Sequence, residues 1–260
     1  MKRFIRTYWK TILFFAIIGI FGGFFIGLFL LDSYPENIKQ QLIEELNAEG
    51  LGQFPADIVM GVITAIQSAV YGIAFGALGI WLGKKVGLWK DEWHISKKPL
   101  LIAIAVSIIC GLVMILSDIF VFGKYSDAII NSYATKPTIS YMLATVTYGA
   151  VIEEVMLRLF FTSLIVFVIH KIFRKKYDKP TTAFFVVANV ITAILFAAGH
   201  LPATFILLGK SPVIILRCFL LNGGIRLLFG FLYRKYGLRY AMIAHGGCHI
   251  VSKLIWILFI

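Results

Sequence analysis

Seven stretches of this sequence are apolar for long enough to cross a bilayer: residues 11–31, 58–82, 100–122, 141–169, 182–200, 212–233 and 240–260. A helix needs about 20 such residues to span a hydrocarbon core about 30 Å thick. No water reaches that depth to satisfy a backbone amide or carbonyl, so each segment must close its hydrogen bonds on itself as a helix. The sequence therefore predicts an all-α, polytopic transmembrane helix bundle of about seven spans, with six to eight as the range. Composition agrees, since 60% of the residues are hydrophobic and only 15% are charged, far from the usage of soluble globular proteins.

The formal charge of +12 raises the question of nucleic acid. The basic residues, however, form short clusters between apolar runs rather than one amphipathic face, so no nucleic-acid partner is expected and the clusters read as topology signals. Lys2, Arg3, Arg6, Lys10, Lys84, Lys85, Lys90, Lys97, Lys98, Lys171, Arg174, Lys175, Lys176, Lys179, Arg234, Lys235 and Arg239 fall on one side of the membrane, against Lys39, Lys124, Lys136 and Lys210 on the other. The positive-inside rule then predicts a multi-pass protein of the cell membrane with a cytoplasmic N-terminus and an outer C-terminus. The first run has a basic start but no small-x-small site after it, so an uncleaved anchor is expected rather than a signal peptide. Cys110, Cys218 and Cys248 lie in apolar runs and read as small buried hydrophobes, not as a disulfide framework. Short length and basic inner loops suit a bacterial plasma membrane.

Residues 1–260 read as one domain, without internal repeats or low-complexity segments. Residues 38–46 have helical apolar spacing and predict a short amphipathic helix on the outer face. Gly19, Gly23 and Gly27 on the first run, and Gly72, Gly76, Gly79 and Gly83 on the second, are spaced for close helix approach. Before about residue 139 the runs hold almost no polar groups apart from Asp118 and scattered hydroxyls. The stretch from about 140 to 255 holds Glu153, Glu154, Arg158, His200, Arg217, Asn222, Arg226, His245 and His249, and is where any chemistry is expected.

Ionisable groups at membrane depth cost several kcal/mol, roughly 2.5 to 3.5 per residue on the mildest scale, and by default mark function. On a helix Glu154 shares a face with Arg158, four residues on, and the two can pair. Glu153, rotated by about 100° from Glu154, is left free to act as a base on water. His245 and His249 share a face with only small residues between them. Glu153, His200, His245 and His249 could hold a divalent metal such as zinc, or could activate water and stabilise an oxyanion with no cofactor; spacing leaves both open.

These residues form the ordered set Glu-Glu-x-x-x-Arg at 153–158, Phe-x-x-x-His at 196–200 and a third motif opening at His245. The set resembles the CPBP family of intramembrane proteases, which includes the CAAX prenyl endopeptidase and bacterial bacteriocin-processing and self-immunity proteins. The resemblance covers about residues 140–255. It implies an endopeptidase acting on a lipidated or membrane-embedded peptide, with Glu153 and His200 activating water, Glu154 paired with Arg158, and His245 and its motif partner stabilising the oxyanion. The chain departs from the pattern at that partner, because His249 stands where the family has Asn or Asp; a neutral imidazole still offers one donor.

Other readings accompany this one. Buried Glu, His and Arg also build the proton relays of transporters and channels, although no pair of interrupted helices repeats in two halves. A non-catalytic scaffold or immunity protein of the same family is the third. Arg217, Asn222 and Arg226 could bind an acidic substrate group, but Asn222 and Arg226, four apart, are expected rather to satisfy each other or nearby carbonyls; Asp118 is expected to be wetted near the outer end of its run, and His94 and His170 to lie at the interface. Straight spans put His200 near one end of its helix and His245 close to the opposite end of its own, so either the fifth span starts late, after an interfacial helix around residues 171–184, or one helix is tilted or broken, with Leu201-Pro202 and Gly246-Gly247 as candidate irregular points.

Overall fold

The computed structural model describes residues 2–91 and 94–260. Among the described residues, six helices are long and apolar enough to cross a membrane: Arg3–Ser33, Ala56–Lys85, Lys97–Lys124, Thr182–Leu208, Pro212–Tyr236 and Leu238–Phe259. In chain order the regular helices are α1 (Lys2–Ser33), α2 (Glu36–Ala48), α3 (Ala56–Lys85), α4 (Lys97–Phe120), α5 (Asp127–Asn131), α6 (Ile139–Ala144), α7 (Ser163–Phe173), α8 (Thr182–Leu208), α9 (Pro212–Arg217), α10 (Ile225–Tyr236) and α11 (Leu238–Phe259). No strand occurs among the described residues.

The remaining apolar run, 141–169, is helical but not a plain α-helix. Between α6 and α7 the backbone widens into two π-helical stretches, Thr145–Glu153 and Val155–Thr162, with Glu154 at their junction. A third, Cys218–Gly224, joins α9 to α10. In a π-turn the amide bonds five residues back instead of four, which redirects the side chains that follow, and such turns are frequent at functional sites.

Ile17, Ile66, Leu101 and Ile109 are each more than half exposed, as expected where the outer surface faces lipid rather than water. Inside, Phe15, Ile80, Leu159, Phe229, Leu232 and Tyr233 belong to one buried cluster. Without a hydrophobic drive between helices in lipid, small residues that admit close packing hold the bundle together. At Gly19 an added Cβ would lie 2.6 Å from the Ser68 carbonyl oxygen, and at Gly72 2.7 Å from that of Phe15. The Thr64 hydroxyl donates across the seam to the Gly23 carbonyl at 2.7 Å. Because backbone lies opposite Gly19, nothing there can yield; Gly19→Leu should lower stability by about 1–3 kcal/mol through overpacking. Thermal unfolding in detergent checks this, and an unshifted midpoint would contradict the close α1–α3 contact.

Two expectations are corrected here. Asp118 is not wetted: it is 1% exposed and accepts from Arg217 Nε at 2.6 Å and from the Tyr133 hydroxyl at 2.7 Å. Burial, and then the neighbouring Asp118 carboxylate, push the Tyr133 hydroxyl well above its usual pKa and keep it a donor. Nor is α11 broken at Gly246-Gly247, or α8 at Leu201-Pro202. Both helices run through, and Gly247 instead makes room for Ser107 of α4.

Candidate active site

Four separate helical segments supply the polar cluster. The π-stretches and their junction carry Glu153, Glu154 and Arg158; α8 carries His200; α10 carries Arg226; α11 carries His245 and His249. Buried charges at membrane depth are tolerated only when they are paired and hydrogen-bonded, and here the pairing centres on Arg226. Its Nη2 donates to Glu153 Oε2 at 2.7 Å, and its Nη1 lies 2.8 Å from Glu154 Oε1 and 2.6 Å from His245 Nδ1. The guanidinium lies over the Phe196 ring, its central carbon 3.6 Å from the ring centroid, an attractive cation–π geometry.

Arg158 lies behind this group and is fully buried. Its Nη2 donates to the Arg226 carbonyl at 2.8 Å and its Nη1 to the Thr192 hydroxyl at 3.2 Å. The expected Glu154–Arg158 pair is present as an ion pair, with Nε 3.6 Å from Oε2. That distance is too long for a hydrogen bond, and Arg226 is the nearer partner of Glu154.

His200 Nδ1 lies 2.9 Å from the Phe196 carbonyl oxygen. A carbonyl can only accept, so Nδ1 carries a proton, and in the neutral ring Nε2 then carries the lone pair. Nε2 lies 3.7 Å from Glu153 Oε1. The Phe196 of the second motif thus has two duties: its carbonyl sets the His200 tautomer and its ring supports Arg226.

At His245 the constraint is reversed. A guanidinium can only donate, so His245 Nδ1 at 2.6 Å from Arg226 Nη1 must accept, and the imidazole proton sits on Nε2. That Nε2 lies 3.8 Å from Glu153 Oε2 and 3.1 Å from His249 Nε2. The Phe229 ring stacks on His245 at 5.2 Å, fixing the plane of the ring.

The structure therefore gathers Glu153, Glu154, Arg158, His200, His245 and His249 into one cluster despite the depth difference of straight spans. One reason is that α8 continues to Leu208, so His200 is not at its end. Three expectations need correction. Arg226 does not satisfy Asn222 or nearby carbonyls, but grips both glutamates and His245. The Asn222 amide turns instead to Cys218 Sγ at 3.4 Å, because the π-turn at 218–224 changes the register between the two residues. Glu153 is not free, since one of its oxygens holds Arg226 and only Oε1 faces His200. Arg217 serves Asp118, away from the cluster. His94 is exposed, and His170 contacts the Tyr177 carbonyl.

The donor set does not suit a metal ion. Among the described residues no group of three or more His, Cys, Asp or Glu side chains converges to hold one. Glu153 Oε2 and His245 Nδ1 are both occupied by the fixed positive charge of Arg226, and a divalent cation beside it would be repelled.

Residues 135–251 match the family model described as type II CAAX prenyl endopeptidase Rce1-like. No curated protein and no solved structure matches the chain.

Proposed function

We propose that this multi-pass membrane protein, whose residues 135–251 match the type II CAAX prenyl endopeptidase Rce1-like family model, is an endopeptidase of the CPBP, CAAX-protease-like kind that hydrolyses a peptide bond of a lipidated or membrane-embedded peptide. The observation that carries the reading is the pair of lone-pair atoms, Glu153 Oε1 and His200 Nε2, set 3.7 Å apart. Both are acceptors, so a water between them donates one proton to each and turns its own lone pair outward. Of the two glutamates only Glu153 is reachable. Its side chain is 17% exposed and that of His200 37%, against 1% for Glu154.

In the reaction, Glu153 takes a proton from the water as the oxygen bonds to the scissile carbonyl carbon. The carbonyl oxygen becomes an oxyanion facing the His245 Nε2–H, with His249 alongside. The C–N bond then breaks as the proton passes from Glu153 to the leaving amine, giving a carboxylic acid and an amine, and the acid's proton passes on to the amine to leave a carboxylate and an ammonium. Glu154, Arg158 and Arg226 hold the frame. The distribution of basic clusters supports a cytoplasmic N-terminus for this enzyme.

The test is hydrolysis of a prenylated peptide by the purified protein in lipid vesicles, with and without chelator. Wild type is expected to cleave in both conditions, and His200→Ala to be slower by about 10²- to 10⁴-fold, the usual worth of a general base or its partner. Peptide binding without cleavage would support the scaffold reading instead. Proton flux across the vesicle without cleavage would support a transporter.

A further inference from the structure

The face of α11 that carries His245 and His249 continues one turn further to Lys253. This side chain is only 3% exposed, and no carboxylate pairs with it among the described residues. Its Nζ lies 3.4 Å from His249 Nδ1 and 4.2 Å from the centroid of the Tyr141 ring. Tyr141 is itself stacked on Phe29 at 4.3 Å, with the rings 18° apart. The amine is therefore held in place at the far end of a line of nitrogens: Arg226 Nη1, His245 Nδ1 and Nε2, His249 Nε2 and Nδ1, Lys253 Nζ.

We propose that Lys253 is a positioning residue which, by donating to His249 Nδ1, fixes His249 as an Nε2–H donor and so makes a two-pronged oxyanion site with His245. The inference rests on the hydrolase reading and deepens it. Arg226 at one end forces the proton of His245 onto Nε2, and Lys253 at the other end does the same for His249. Two N–H groups then face one gap, their nitrogens 3.1 Å apart, with no acceptor between them. Neighbouring imidazoles would ordinarily share one proton. Donors at both ends prevent that, and an oxygen carrying negative charge is the group that satisfies both at once. Gly149 borders the same gap: a Cβ there would lie 3.8 Å from both Nε2 atoms, so its missing side chain leaves the approach open. This accounts for histidine at position 249, because an imidazole whose other nitrogen is capped by a donor presents one outward N–H, as a side-chain amide does.

Nitrogen NMR of ¹⁵N-histidine-labelled protein in micelles, combined with kinetics, tests the proposal. Wild type should show His249 protonated at Nε2. In Lys253→Met the His249 proton should move to Nδ1, where it no longer meets a donor, and Nε2 should accept from His245. With one of two donors lost, kcat should fall about 10²- to 10³-fold while KM changes little; Lys253→Arg, which can still donate, should recover most of kcat and the Nε2 tautomer. An Nδ1-protonated His249 in wild type overturns the proposal on its own, even if Lys253→Met does not fold. Full kcat in Lys253→Met overturns it too, and if Glu153→Gln is inactive in the same assay the hydrolase reading survives. Absence of hydrolysis by wild type removes the hydrolase reading, whereas the tautomer of His249 still decides whether Lys253 fixes the ring.

Discussion

Glu153→Gln is expected to lose about 10²- to 10⁴-fold in peptide hydrolysis, the range for removing a positioned base, while the protein stays folded. The amide keeps the volume of the side chain, and its carbonyl oxygen can still accept from Arg226 Nη2, which bonds Glu153 at 2.7 Å. What is lost is the ability of the atom facing His200 to take a proton. Stability and activity thus separate in this variant. Hydrolysis rates and thermal midpoints measured on one preparation decide the matter: normal turnover in Glu153→Gln would move the base to another residue.

Arg226→Met should have the largest effect on stability, about 3 to 5 kcal/mol, the cost of removing one member of a buried charge pair and leaving the other alone. Here two carboxylates lose their main partner, since Arg226 contacts Glu153 and Glu154 at 2.7 and 2.8 Å. The His245 tautomer is released at the same time, so residual folded protein should also be inactive. Arg226→Lys keeps the charge but has one nitrogen where the guanidinium uses two, and should fall between the two. Pairing Arg226→Met with Glu154→Gln removes one of the stranded charges and should return part of the lost stability. A wild-type midpoint in Arg226→Met would mean that Arg158 alone holds the glutamates.

The spans were legible in the sequence because apolar length is a direct physical requirement of the bilayer. That His200, Glu153 and His245 must meet was also legible, since isolated polar groups in hydrocarbon would go unsatisfied. The identity of the partners was not. Spacing along one helix pairs Glu154 with Arg158 and Asn222 with Arg226, but it carries no information about an arginine 72 positions away in sequence from the glutamate it holds. It also assumes an α register, which the π-turns at 145–162 and 218–224 break. Asp118 looked wetted because its partners, Tyr133 and Arg217, lie on a loop and on a later span. Lys253 stood at a readable spacing from His249, but only the burial of its amine gives that spacing a meaning.

The glycines of the first two spans also bear on how the chain is assembled as it is synthesised. Gly22 of α1 faces the Tyr148 amide, 2.6 Å from where its Cβ would be, and Gly79 of α3 faces Leu159 Cγ at 2.7 Å. The π-stretches on either side of Glu154 therefore lie against a wall made by α1 and α3, two helices that precede residue 145 in the chain. Chains fold from the N-terminus as they emerge, and inserted helices associate after insertion. The paired α1 and α3 are ready as a mould when the glutamate segment arrives. Its unusual winding is then stabilised on contact, and a charged, widely wound segment need not wait in lipid for the histidines that follow it in the chain.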